Sequence, residues 1–112
     1  MKLDRTAARA LLLESYAAAV GAADPLKIVA DFLPPPHAVG KTLVVGAGKA
    51  AASMALAVEQ AYAGRAQIEG LVVTRYAHGL PTEHIRVIEA GHPVPDEAGE
   101  QAAQEILDRV CA

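Results

Sequence analysis

Residues 42–52, TLVVGAGKAAA, set a short run of branched apolar residues directly against two glycines, a lysine and an alanine-rich stretch. Thr42–Val45 is rich in β-branched side chains and has no polar alternation, the composition of a strand buried on both faces. The glycines end that run, and the alanines from about residue 50 to residue 63 favour helix. A buried strand that passes through a glycine turn into a helix is the opening unit of an α/β sheet.

The flanking sequence follows the same plan. Downstream, Gly70–Thr74 (GLVVT) and Ile85–Glu89 (IRVIE) read as two further buried strands. Asp96 is placed to cap a last helix whose apolar positions Ala98, Ala102, Ile106, Leu107 and Val110 fall on one face. Upstream, Asp4 caps an amphipathic helix carrying Ala8, Leu11, Leu12, Ser15, Tyr16 and Ala19, which ends at Gly21. Asp24-Pro25 opens a short helix that stops at Pro34-Pro35-Pro36. Two helices followed by β-α-β-β-α predict an α/β, Rossmann-like sandwich with a mainly parallel sheet. Such a fold returns for another strand after its last helix. Residues 1–112 are therefore expected to be a truncated, amino-terminal part of a first α/β domain.

Apolar residues make up 53% of the 112, but 25 of them are alanines, with one Phe, three Tyr and no Trp. A core of small side chains buries little area per residue, so the chain is expected to lean on further polypeptide or to form a homo-oligomer. A net charge of −3 with no basic run argues against a nucleic-acid partner. No window is apolar over the length of a membrane span. The single cysteine, Cys111, rules out an internal disulfide and fits a reducing cytosol, so a cytoplasmic protein is expected.

The glycine turn carries the most chemistry. Gly46 and Gly48 free the backbone for positive φ and for close approach to a ligand. The helix that starts there presents N–H groups and a positive dipole, favouring an anion such as phosphate, and Lys49 adds a full charge. A P-loop fails on spacing, since Ala50 follows the lysine where Ser or Thr is needed, and Gly40-Lys41-Thr42 has Pro35 in place of the first loop glycine. A dinucleotide turn matches Gly46-x-Gly48-x-x-Ala51, but Arg75 follows the next strand where an NAD enzyme places an acid. An arginine there is suited to an NADP phosphate. A tight structural turn with a solvated lysine is the third possibility.

The second candidate is His92-Pro-Val-Pro-Asp96, stiffened by two prolines at the end of the third strand. It can present His92 to the crevice as a hydrogen-bonding or acid–base group, or hold it as a structural histidine. Asp96 is either a ligand group or simply the helix cap. His37, His78 and His84 lack metal-ligand spacing and read as surface residues, so no metal site is assigned.

Taken together and in this order, VVGAGKAAASMA, GLVVTRYAHG and EAGHPVPDEAG resemble the start of the glycerate 2-kinase family, whose members often carry the name hydroxypyruvate reductase. The resemblance runs through essentially the whole chain. It departs at TRYAHG, where a further glycine is expected near Ala77. The resemblance implies a two-domain kinase that uses ATP and Mg2+ to phosphorylate D-glycerate at its 2-hydroxyl, giving 2-phosphoglycerate. It implies that Lys49 is the catalytic lysine, and that Gly46, Gly48 and His92 line the substrate and phosphate site. The second domain, the base for the substrate hydroxyl and most magnesium ligands would lie outside these residues. The 112-residue fragment alone would then be inactive. An NAD(P)H-dependent hydroxypyruvate reductase and a non-catalytic binding or dimerisation module stand as alternatives.

Overall fold

The computed structural model describes residues 4–112. Two helices, α1 (Arg5–Ala22) and α2 (Pro25–Ile28), lead through a 3₁₀ turn (Val29–Phe32) into β1 (Lys41–Ala47). Then follow α3 (Ala51–Tyr62), β2 (Gln67–Arg75), β3 (Ile85–Ala90) and α4 (Glu97–Cys111). The expected caps are in place. Asp4 Oδ1 accepts the Ala7 N–H at 2.7 Å, and Asp24 Oδ1 accepts that of Leu26 at 3.0 Å, with Pro25 in the first turn where its missing N–H costs nothing.

The sheet has the order β1-β2-β3 and is parallel throughout, with Val44 beside Gly70 and Gly70 beside Ile85. Side-chain alternation divides it into two faces. Val44, Val72, Ile85 and Val87 pack with Ala51, Ala55, Val58 and Tyr62 of α3. On the other face, Leu71 and Ala90 are buried in the region where α4 packs on β2 and β3, and Ala102 of α4 is likewise buried. The α/β sandwich read from the sequence is therefore the fold found, with every strand parallel.

Two features could not be read from the pattern. Gly70 lies so close to β1 that a Cβ there would sit 2.0 Å from the Val44 carbonyl oxygen; only glycine lets the strands approach this closely. The second is the link between β2 and β3. Parallel neighbours are usually joined by a dozen residues or more, commonly a helix. Here residues 76–84 make the return without one. The Glu59 carboxylate of α3 ends that loop by accepting the N–H groups of Glu83, His84 and Ile85 at 2.7–3.1 Å. The negative charge gathers three successive donors at the start of β3, holding the loop over the α3 face.

Coverage is less complete than the apolar spacing suggested. Leu107 and Val110 on α4 are exposed, lying off the face that packs on β2 and β3, and Val45 is uncovered on β1. No residue of α1 is buried, and apart from a small contact with α2 its expected amphipathic face stays exposed. The radius of gyration is 18.2 Å, against about 13 Å for a compact chain of about this length.

Candidate functional site

Three parallel strands end at one edge of the sheet, which carries the glycine turn, Arg75 and the His92–Asp96 loop. Gly46 is the last residue but one of β1, with Gly48 and Lys49 directly after the strand; Arg75 ends β2; His92 follows β3. With β2 between them, the ends of β1 and β3 lie about 10 Å apart.

The turn from β1 into α3 is fixed from β2. Gly48 N–H donates to the Val73 carbonyl at 2.9 Å, and the buried Thr74 hydroxyl donates to the Lys49 carbonyl at 3.3 Å. Gly48 takes φ +140°, a region L side chains rarely adopt. Gly46 does not: its φ is unexceptional, because it still pairs in the strand beside Val72, and a Cβ there would make only ordinary contact at 3.6 Å. Of the two glycines expected at positive φ, only Gly48 is there.

Helix α3 opens at Ala51 with Ala50 in the cap position, and no side chain caps it. By contrast α1, α2 and α4 are each capped by an aspartate. An alanine cap leaves first-turn N–H groups available to an external acceptor. Lys49 beside them is exposed, and it takes part in none of the ion pairs among the described residues. The turn opens onto a pocket of about 520 Å3 whose opposite walls are Val29, Leu33, Met54 and Val58. Chemically this is a cationic, donor-rich rim above an apolar groove.

The loop after β3 is organised by Asp96. Its Oδ1 accepts the Gly99 N–H at 3.1 Å, capping α4, and its Oδ2 accepts the Tyr76 hydroxyl at 2.7 Å. The Tyr76 bond, with N–H donation from Gly91 and Gly99, holds the Asp96 carboxyl below its ordinary value. The same bond raises the Tyr76 phenol. Of the two roles open to Asp96, the cap is the one observed, and both oxygens are engaged. Glu89 is engaged as well, accepting the Gly79 N–H at 3.0 Å. His92 is exposed, and among the described residues its ring makes no hydrogen bond. His37, His78 and His84 are exposed too.

Sequence reasoning missed Thr74, Tyr76 and Glu59. Glu59 alone left a signal: it shares the buried stripe of α3 with Ala55 and Tyr62, where a carboxylate needs donors.

Geometry defines the class first: an open, parallel α/β domain with an uncapped helix start, a glycine turn and a free lysine at the carboxyl edge of its sheet. Residues 11–112 match the family described as a domain of unknown function, DUF4147, and the chain belongs to that family. A protein of Agrobacterium vitis provisionally named hydroxypyruvate reductase is 44% identical over 110 residues, which are 98% of this chain and 25% of that protein. A glycerate 2-kinase of Pyrococcus horikoshii is 44% identical over 68 residues, 61% of this chain and 15% of that protein. The crystal structure of a glycerate kinase from Thermotoga maritima matches with a TM-score of 0.72 at 29% identity, over 94% of this chain and 25% of that one. The chain thus spans about a quarter of the Agrobacterium protein and of the Thermotoga structure. No helix among the described residues is long and apolar enough to cross a membrane.

Proposed function

We propose that these residues form the amino-terminal part of the first α/β domain of a two-domain, cytoplasmic glycerate 2-kinase. The reaction is transfer of the γ-phosphoryl group of ATP to the 2-hydroxyl of D-glycerate, giving 2-phosphoglycerate and ADP. The observation that carries the proposal is the uncapped start of α3, with Gly48 at positive φ and a free Lys49 beside it. Phosphoryl transfer depends mainly on positioning and on stabilising charge over the phosphoryl oxygens. In this role the uncapped N–H groups at the start of α3 hold phosphate oxygens, Gly48, whose own N–H is committed to Val73, leaves room for the ligand, and the Lys49 ammonium neutralises the charge that develops on the phosphoryl oxygens. Gly46 keeps the floor beside the turn free of a side chain, and His92 lines the far side of the same edge.

Magnesium is a separate matter. Asp96 has both carboxylate oxygens engaged in hydrogen bonds and Glu89 has one, and the described residues contain no group of three His, Cys, Asp or Glu able to hold a metal ion. These residues do not fit a magnesium site, and no step is assigned to the ion here.

A reductase remains the second reading, favoured by Gly46-x-Gly48-x-x-Ala51, by Arg75 at the end of β2 and by the name of the Agrobacterium relative. A family-length protein carrying this segment separates the two. ADP release on D-glycerate supports the kinase; NAD(P)H oxidation with hydroxypyruvate, abolished by a Gly46 substitution, overturns it. In the 112-residue chain, inorganic phosphate should shift the amide resonances of Gly48–Ser53, and Lys49→Ala should weaken that response.

A further inference from the structure

The turn that carries Lys49 contains one carbonyl that the main chain passes over. Ala51 N–H turns back to the Gly48 carbonyl at 3.1 Å, and Met54 N–H donates to that of Ala50 at 2.9 Å. Between them, the Lys49 carbonyl receives no backbone N–H among the described residues. Its partner is the hydroxyl of Thr74 on β2, at 3.3 Å, from a residue only 2% exposed. The preceding β2 residue, Val73, accepts the Gly48 N–H at 2.9 Å.

Two consecutive residues of β2 therefore hold the backbone before and after the Lys49 Cα. The lysine side chain stays exposed and takes part in none of the ion pairs among the described residues. The threonine is not there for packing. Its neighbours in β2, Leu71, Val72 and Val73, are apolar, and valine would fill the same space with no hydroxyl to bury. A hydroxyl in so dry a place needs an acceptor, and the one it serves belongs to the lysine.

We propose that Thr74 is a positioning residue for Lys49, an inference that rests on the glycerate 2-kinase reading of the site. The hydroxyl fixes the backbone from which the lysine side chain springs, so the ammonium meets the transferred phosphoryl group from one direction. Charge stabilisation depends on such fixed placement, and a displacement of about 1 Å can cost on the order of a hundredfold in rate. Thr74 lies buried under the turn and acts through Lys49 alone.

Two variants separate the hydroxyl from its packing. Thr74→Val keeps the shape and loses the hydrogen bond, whereas Thr74→Ser keeps the bond and loses a buried methyl group. In a family-length protein, Thr74→Val should lower kcat about tenfold with KM for D-glycerate within about twofold, and Thr74→Ser should hold kcat within about twofold. In a Lys49→Ala background, Thr74→Val should add less than about a twofold loss, because the group it positions is gone. Equal losses in both backgrounds, or a serine variant worse than the valine one, make Thr74 a packing residue and overturn the proposal. If Lys49→Ala lowers kcat and Thr74→Val does not, this proposal fails and the kinase reading stands. If Lys49→Ala leaves kcat normal, both fail. A readout without turnover covers a protein that shows no kinase activity: in the 112-residue chain, Thr74→Val should weaken the response of the Lys49 and Ala50 amides to inorganic phosphate, and Thr74→Ser should not. No response in the wild-type chain, or one indifferent to Thr74→Val, overturns the proposal.

Discussion

Replacing Glu59 tests the least expected part of the fold. Its carboxylate is 8% exposed as a residue and accepts from three backbone donors, Glu83, His84 and Ile85. Glu59→Gln keeps the shape but exchanges one oxygen for a donor. Oε1 can still accept His84 and Ile85, both at 2.7 Å, while an amide nitrogen in the Oε2 position faces the Glu83 N–H. The Glu83 N–H keeps only its longer branch to Oε1, at 3.1 Å, and all three bonds lose their charge assistance, for a cost of about 2 kcal/mol. Glu59→Ala leaves all three donors unpaired. Water can reach the exposed Glu83 and His84, but Ile85 is 1% exposed and its N–H stays dry, so the cost rises to about 3–5 kcal/mol. Small domains have roughly 5–15 kcal/mol in total, so the alanine variant should be largely unfolded at modest urea.

The same site gives a pH signature. Burial by itself would raise the Glu59 pKa, but the three backbone donors and the nearby His84 lower it, and the lowering wins. A carboxylate lowered in the folded state contributes stability above its unfolded pKa, about 4.3, and loses that contribution as pH falls through the folded value. Urea unfolding followed by far-ultraviolet circular dichroism should therefore show wild-type stability falling on the acid side, with a shallower fall for Glu59→Gln. A glutamine variant within about 0.5 kcal/mol of wild type at neutral pH, with an unchanged acid limb, would refute the reasoning.

Four further outcomes are expected. Lys49→Ala in a family-length kinase should lower kcat on the order of a hundredfold and shift the urea midpoint little; near-normal turnover removes Lys49 from catalysis. Gly70→Ala should cost more than about 3 kcal/mol in urea unfolding, because its methyl group meets the β1 backbone and not a movable side chain. Ala77 holds φ +64°, where the family resemblance leads one to expect a glycine, so Ala77→Gly should stabilise by about 0.5–1 kcal/mol and raise Tm by a few degrees. Tyr76→Phe should move the Asp96 titration, followed by carboxyl NMR, up toward the ordinary value, since it removes the leading cause of the depression.

What the sequence disclosed follows from how local each signal is. Asp4, Asp24 and Asp96 announce three helix starts because capping involves residues only two or three apart. The strands announce themselves by composition, and the glycine turn by its place between a strand and a helix. Glu59 and Thr74 act on partners 24 to 26 residues away, which no local pattern encodes. The apolar faces of α1 and α4 stay partly uncovered for a related reason. Periodicity marks which side of a helix is apolar, whereas burial of Tyr16 or Leu107 depends on how wide a surface lies opposite.

The placement of α4 bears on where the rest of a family-length protein must go. Helix α3 and the 76–84 loop both cross on one face of the sheet, carrying the chain from β1 to β2 to β3; α4 lies on the other face, its Gly99 against Ala90. Crossovers between parallel strands are right-handed in nearly all cases. Passing over the opposite face reverses the direction of travel, so a strand following α4 in such a protein lies beyond β1. That edge is ready for it. Gly48 turns its N–H toward Val73, so alternation turns the peptide groups of Leu43, Val45 and Ala47 outward, and Val45 is 42% exposed. The order then reverses at β1, and open α/β sheets bind ligands at the carboxyl end of such a reversal. Gly46, Gly48 and Lys49 stand at that point, which supports the proposal of a phosphate site there and not at the β3 loop. Amide exchange gives the check: Leu43, Val45 and Ala47 should exchange fast in the 112-residue chain and be protected in a family-length protein. Fast exchange in both would mean that β1 stays an edge, and the glycine turn would lose its place at a reversal of strand order.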